Sequence, residues 1–133
     1  MDDKLIPISE LGEFGLIEKL LEGFTATRTE TTFAAGDDAA VIRNEEGNCT
    51  VISTDSFAEG VHFDMSYTPI MHLGYKVISA SLSDIYAMNA KASHVLVSIS
   101  LSSKYTLQAM QELYSGIKVA CKDFEVDLIG GDT

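Results

Sequence analysis

The sequence predicts an α+β domain with a four-stranded mixed sheet and helices on one face. Three segments repeat apolar residues at helical spacing, and four short apolar runs are bounded by turn residues, as strands are. They follow one another in the order α-β-β-α-β-α-β, which allows helices to cover one face of a single sheet. With 133 residues, 46% of them hydrophobic, the chain is long enough for one such domain.

The first half of the chain is predicted to contain one helix and a β-hairpin. The helix spans residues 10–23, because six apolar residues recur on one face; they are Leu11, Phe14, Ile17, Leu20, Leu21 and Phe24. A Thr-rich loop over 25–35 leads to strands near 38–43 and 49–54. Residues 44–48 have the sequence Asn-Glu-Glu-Gly-Asn, which is typical of a hairpin connection.

The second half is predicted to alternate helices and strands. Pro69 suits the first turn of a helix that runs to about Ala90, with an apolar stripe formed by Ile70, Gly74, Val77, Ser81, Ile85 and Met88. A strand over 95–101, a helix over 107–121 and a strand over 125–129 follow. The second sheet face also carries apolar residues, so we expect it to meet another surface, such as a second copy of the chain.

Aspartates occur in four short segments, of which three (36–38, 53–55 and 130–133) adjoin strand-like apolar runs and one (83–84) lies inside a predicted helix. Carboxylates that converge repel one another unless cations lie between them. The pattern therefore favours a multi-metal site with hard oxygen ligands, most simply for Mg²⁺, as used in phosphoryl transfer. Asp84 falls about 20° from Val77 on a helical wheel, so it borders the buried face and needs a partner.

Each motif also has a plain structural interpretation. Residues 36–38 could form an ordinary turn, 53–55 an Asx turn after a strand, and 130–132 a flexible tail. A lone His62 is more often structural than functional, and Tyr114 lies on a helical stripe where a core aromatic is expected. The chain has neither G-x-x-x-x-G-K-[ST] nor G-x-G-x-x-G, which excludes a P-loop and a Rossmann site.

Charge and cysteine content exclude several classes of function. The net charge of −11 argues against nucleic-acid or anionic-membrane binding, since both need basic patches. No apolar run reaches transmembrane length, and the N-terminus lacks signal-peptide character. Cys49 and Cys121 lack metal-ligand spacing and indicate reduced thiols in a cytoplasmic protein. Because a glycine-rich turn ending at Thr133 is a poor natural terminus, we expect the chain to belong to a longer protein.

Five segments in register resemble the thiamine-monophosphate kinase family. They are Gly-Glu-Phe-Gly-Leu-Ile at 12–17, Gly-Asp-Asp-Ala-Ala-Val at 36–41, Ser-Thr-Asp at 53–55 with Glu-Gly-Val-His-Phe at 59–63, Leu-Ser-Asp-Ile-Tyr-Ala-Met at 82–88, and Gly-Gly-Asp-Thr at 130–133. The same superfamily includes aminoimidazole ribonucleotide synthetase, selenophosphate synthetase and a hydrogenase maturation factor. The first segment and the one at 59–63 favour the thiamine family over these sisters.

The resemblance implies that residues 1–133 form an N-terminal metal-binding, ATP-binding and dimerisation domain, with a C-terminal domain absent from the chain. The fold would be that of the aminoimidazole ribonucleotide synthetase-like N-terminal domain, whose sheet pairs with a second subunit's to close a barrel. Mg²⁺ ligands would be Asp38, Ser53, Thr54, Asp55, Asp84 and Asp132. His62 would meet thiamine monophosphate, and Gly131, Asp132 and Tyr114 would lie near ATP.

The function so implied is ATP-dependent phosphorylation of thiamine monophosphate to thiamine diphosphate. A phosphate oxygen of that substrate is already ionised and can attack directly, so no catalytic base is assigned. Two alternatives remain open: a sister ATP-using enzyme, such as aminoimidazole ribonucleotide synthetase or selenophosphate synthetase, and a non-catalytic dimerisation module. The chain by itself is expected to be inactive.

Overall fold

The computed structural model describes residues 4–58 and 68–133 and confirms an α+β architecture. A short 3₁₀ turn at Ile8–Glu10 precedes, in chain order, α1 (Gly12–Leu20), β1 (Thr31–Phe33), β2 (Ala40–Arg43), β3 (Cys49–Ile52), α2 (Ile70–Ala87), β4 (His94–Ser98), α3 (Leu107–Asp123) and β5 (Asp127–Asp132). The three predicted helices and four predicted strands are all present, with ends that differ by a few residues. β1 lies in the segment predicted as a loop.

The strands of the described ranges form two sheets, so the prediction of a single four-stranded sheet was wrong. β1, β2 and β3 make an antiparallel sheet in that order, and residues 44–48 close the predicted β2–β3 hairpin. β4 and β5 make a separate parallel pair. Alternation within a strand indicates which face is buried but does not determine which distant strand becomes its neighbour.

α2 and α3 cross at two glycines, and the main core surrounds that crossing. A Cβ added to Gly74 would lie 2.1 Å from the Leu113 carbonyl oxygen, and one added to Gly116 would lie 1.9 Å from that of Met71. The two backbones are therefore in direct contact, which leaves no room for a larger residue at either position. The buried cluster consists of Ile78, Leu82, Ala92, Ile117, Ala120 and Val126.

The buried face of α2 differs from the predicted stripe. Leu73, Gly74, Ile78 and Leu82 are buried, whereas Val77 is only half-buried, as are the remaining members of that stripe. Apolar residues occur on several sides of this helix, so periodicity alone does not determine which side is buried. The close approach of α3 at Gly74 determines it. Asp84 is half-buried, as its predicted place beside the buried face requires.

β5 contains a bulge next to the predicted Gly-Gly-Asp motif. Val95 of β4 pairs with Leu128, but the next residue, Leu96, pairs with Gly130, so Ile129 has no residue opposite it. Beyond the bulge, a Cβ on Gly131 would lie 1.7 Å from the Val97 carbonyl oxygen, and its φ is +154°. Position 131 therefore accepts only glycine in this pairing.

Large apolar side chains remain exposed on α1 and on both sheets. Phe14 of α1 is 85% exposed, Ile52 of β3 50% and Leu96 of β4 69%. Apolar side chains on the strands therefore remain uncovered within the described residues. None of the helices in the described ranges has the length and apolarity needed to cross a membrane.

Candidate functional site

Three of the four predicted acidic segments meet at Ser53. Its hydroxyl lies 3.2 Å from Asp84 Oδ2 on α2 and 3.4 Å from the Asp38 carbonyl oxygen. The hairpin explains the second contact, because Ala40 at the start of β2 pairs with Ile52 at the end of β3. Residues that precede β2 and follow β3 therefore lie at the same edge of the sheet.

The segment 36–38 forms a tight bend that presents Asp38 to solvent. Gly36 has a φ of +128°, which favours glycine, and the Asp38 amide donates a hydrogen bond to Asp37 Oδ1 at 2.8 Å. The chain therefore bends at this motif, and the bend is compatible with a ligand role for Asp38. The exposed Asp38 side chain is accessible from solvent at the edge where Ser53 lies.

The Asp84 carboxylate accepts its hydrogen bond from Ser53 after β3 and not from a residue of its own helix. Ser83, the neighbour that could have satisfied it, donates its hydroxyl to the Ala80 carbonyl at 2.5 Å. The hydrogen bond from Ser53 comes from 31 residues away. Thr54 and Asp55, both exposed, follow Ser53 directly and extend the polar edge.

The fourth segment lines a separate open cleft. Gly131 and Asp132 of β5 and Tyr114 of α3 border a cleft of about 470 Å³, together with Val97 and the neighbouring residues of β5. Tyr114 is 36% exposed, so it is not the core aromatic that its helical stripe suggested. The three residues that the resemblance associates with ATP thus share one surface.

The donor atoms at the Ser53 edge suit a hard cation. They are carboxylate, hydroxyl and carbonyl oxygens, which Mg²⁺ prefers over nitrogen and sulfur ligands. In the part of the chain that the structure describes, no three His, Cys, Asp or Glu side chains form a group that could hold a metal ion. The structure thus brings together Asp38, Ser53 and Asp84 but does not gather all four aspartate segments. His62 lies outside the described residues.

A second cleft, of about 530 Å³, was not predicted from the sequence. It is lined by Arg28, Thr29, Glu30, Arg43, Asn44 and Glu45. Arg28 forms an ion pair with Glu30. The pKa of the Glu30 carboxyl is lowered, first by its own backbone amide and then by Arg28. The cleft contains two glutamates and two arginines, so its charges cancel and do not indicate that it binds anions.

The family of the chain is established by a match over most of its length. The family model "AIR synthase related protein, N-terminal domain" matches residues 36–133. The chain belongs to this family. The matched range contains all four aspartate segments, the Ser53 edge and the cleft at Tyr114. It confirms the superfamily that the sequence motifs indicated.

Curated relatives are named thiamine-monophosphate kinase. The protein from Synechococcus elongatus is 36% identical over 125 residues, which cover 94% of this chain and 36% of the relative. The protein from Bacillus subtilis is 33% identical over 123 residues, or 92% of this chain and 38% of the relative. The chain thus spans little more than a third of the length of these relatives.

Solved structures share the fold. "AaThiL complexed with AMPPCP and TMP" superposes with a TM-score of 0.85 and 28% identity over 98% of this chain and 40% of that one. The thiamine monophosphate kinase from Aquifex aeolicus superposes with a TM-score of 0.72 and 27% sequence identity, over 96% of this chain and 40% of that one. The predicted resemblance to the thiamine family is confirmed at the level of sequence and fold.

Proposed function

We propose that this chain is the N-terminal part of a kinase that transfers phosphate from ATP to thiamine monophosphate and so forms thiamine diphosphate. The observation that carries the proposal is the meeting of Asp38, Ser53 and Asp84 at one sheet edge, in a chain whose relatives are thiamine-monophosphate kinases. The complex of a structural relative with AMPPCP and TMP supports the choice of both substrates.

Mg²⁺ would be held by the oxygen-rich edge. Its ligands there would be drawn from Asp38, Ser53, Thr54, Asp55 and Asp84. Asp132, which the resemblance also gives as a ligand, borders the separate cleft at Tyr114. When bound, Mg²⁺ would neutralise the charge of the phosphates that meet in the reaction. A chain of net charge −11 would otherwise repel two phosphorylated substrates.

The protein's own task is to align the two substrates. The attacking phosphate oxygen of thiamine monophosphate needs no base, since it is ionised at neutral pH, so the remaining barrier is largely orientation. The cleft at Tyr114, Gly131 and Asp132 is the proposed ATP surface, because these three residues, which the resemblance associates with ATP, border one cleft. His62 is the proposed contact for thiamine monophosphate.

We further propose that the protein is a cytoplasmic homodimer whose sheets close a barrel between subunits. The exposed apolar residues of the strands, such as Ile52 and Leu96, support this arrangement. Cys49 and Cys121 are both free thiols, which agrees with a reducing compartment.

The proposal is tested with the complete protein, ATP and a panel of acceptors. We expect ADP release and thiamine diphosphate formation with thiamine monophosphate, and neither with thiamine or selenide. Phosphorylation of selenide in place of thiamine monophosphate would assign the chain to a sister enzyme. ATP that remains unconsumed with every acceptor would favour the non-catalytic module.

A further inference from the structure

The apolar face of α1 has no partner in the described part of the chain. Its side chains, here called the α1 stripe, fall within about 120° of one another on a helical wheel; they are Phe14, Ile17, Leu20 and, at the cap, Leu21. All four are exposed, and Phe14 the most, at 85%. No residue of α1 is buried, and the 3₁₀ turn before it is the one described element against which it packs to any extent.

A helix of this length needs tertiary packing to be stable. α1 has nine residues, and isolated helices shorter than about 12 residues are marginal in water. Relatives of the chain nevertheless share the helix. The match to the Synechococcus protein takes in 125 of the 133 residues, too many to leave α1 out. The superposition on the complex with AMPPCP and TMP covers 98% of the chain at a TM-score of 0.85. The packing that the described residues do not supply must therefore come from another surface.

The charges beside the α1 stripe argue against a membrane as that surface. Glu13 lies near one edge of the stripe and Glu18 beyond the other, whereas Lys19, the one lysine of α1, forms an ion pair with Glu22. Helices that lie on membranes carry lysine and arginine around their apolar face, and anionic headgroups would repel these carboxylates. The stripe fits an apolar groove of a protein with basic residues at its rim.

The size of the α1 stripe argues against a second copy of the chain. Scaled to about 200 Å² for a large side chain, the exposed fractions of its four members give roughly 450 Å² of apolar surface. A stable interface between separate proteins buries about 800 Å² on each partner. A contact within one chain needs less area, because its two parts are already held at a high effective concentration.

We propose that the α1 stripe docks in an apolar groove on the C-terminal part of the same chain. The inference rests on the part of the proposed function that makes this chain the N-terminal part of a longer kinase. The chain spans 36% of the Synechococcus relative and 40% of the superposed chain, so each of those proteins has ample further chain to cover the helix. α1 also precedes the domain family model, which begins at residue 36. The helix then joins the two parts of the enzyme from outside the shared domain.

The first arm of the test places the photo-crosslinker p-benzoylphenylalanine at position 14 of the complete protein, where it replaces another aromatic residue. Subunits labelled with light and heavy nitrogen are mixed before irradiation, so that mass spectrometry separates links within one chain from links between copies. We expect links to residues beyond 133 of the same chain. Position 19, about 140° from Phe14 on the wheel, is the control and should give none.

The second arm follows hydrogen exchange of the α1 amides in the complete protein. We expect Phe14→Ala to speed this exchange about tenfold or more, because the contact of a docked aromatic side chain is lost. Alanine is the better helix former, so an undocked helix would exchange at the same rate or more slowly, and the direction of the change decides. Lys19→Ala is the matched control, since it removes only a surface ion pair and should leave the rate within about twofold.

The other outcomes overturn the docking. Links between light and heavy chains would make the α1 stripe a contact between copies. Links confined to residues 1–133, equal linking from position 19, no links at all, or exchange that Phe14→Ala does not speed would each contradict it. The kinase itself is assayed separately, by thiamine diphosphate formation. A complete protein that links as expected but transfers no phosphate would keep the docking and lose the proposed activity, and an active enzyme without the links would do the reverse.

Discussion

Gly116→Ala should destabilise the fold strongly, although alanine is the better helix former. Gly116 lies inside α3, where the helix crosses α2. The added Cβ would stand 1.9 Å from the Met71 carbonyl oxygen, whereas ordinary contacts begin near 3.4 Å. The obstacle is backbone, so it cannot move aside as a flexible side chain would, and the helices must separate by about 1.5 Å.

The separation sets the size of the effect. A gap of about 0.5–1 Å already forfeits a quarter to a half of the dispersion attraction between packed atoms. Ile78 and Leu82 of α2 would withdraw from Ile117 and Ala120 of α3. We expect a gross cost of about 4 kcal/mol, at the upper end of overpacking and core-truncation effects. The higher helix propensity of alanine stabilises the variant by about 1 kcal/mol, so the free energy of unfolding should fall by about 3 kcal/mol.

Gly15→Ala provides a matched control for the same chemical change in a helix. A Cβ at Gly15 of α1 would meet only Leu11 Cβ, at an ordinary 3.6 Å, so this variant should be neutral or up to about 1 kcal/mol more stable. Urea unfolding followed by far-UV circular dichroism measures both variants. Midpoints that move together, or a Gly116→Ala protein as stable as the unaltered one, would refute the backbone-contact argument.

Four further outcomes are expected. In the complete protein, Asp55→Asn should abolish phosphate transfer while circular dichroism shows an intact fold; undiminished turnover or an unfolded variant would contradict a ligand role. Mg²⁺ should raise the thermal midpoint of the chain more than Na⁺ at equal ionic strength, whereas equal shifts would mean simple screening of the −11 charge. The chain alone should sediment as a homodimer and make no thiamine diphosphate; a monomer at micromolar concentration contradicts the first half, and turnover the second. Burial, and then the charge of Asp127, raise the pKa of the Cys121 thiol, so its alkylation by iodoacetamide should need a higher pH than that of an unperturbed thiol. Peptide mass spectrometry at a series of pH values measures the rate of alkylation. A midpoint of that rate at the ordinary thiol pKa would contradict the prediction.

Local signals in the sequence were sufficient for most of the helices and strands. The β2–β3 hairpin and α3 each follow from a pattern within one continuous stretch of the chain, and both are confirmed. β1 was missed because it has only three residues, Thr31–Phe33, too few to display an alternation. The division into two sheets was missed for a different reason, since strand pairing depends on contacts between segments far apart in the chain.

The candidate site shows the same division between local and distant information. The sequence predicted that Asp84 borders the buried face and needs a partner, because helical geometry places it there. It did not identify Ser53 as that partner, since nothing near position 84 indicates which residue arrives from the hairpin. Tyr114 was expected in the core from its stripe, but α3 turns it towards an open cleft.

The bulge in β5 separates the number of residues in the strand from their pairing. Ile129 has no residue opposite it in β4 and is 60% exposed, so many side chains should be tolerated there. The pairs on either side of it, Leu128 with Val95 and Gly130 with Leu96, are consecutive in β4. Removal of residue 129 would therefore leave a regular ladder with Asp132 still opposite Ser98. Substitutions at position 129 and single-residue gaps there should both occur among relatives of this chain.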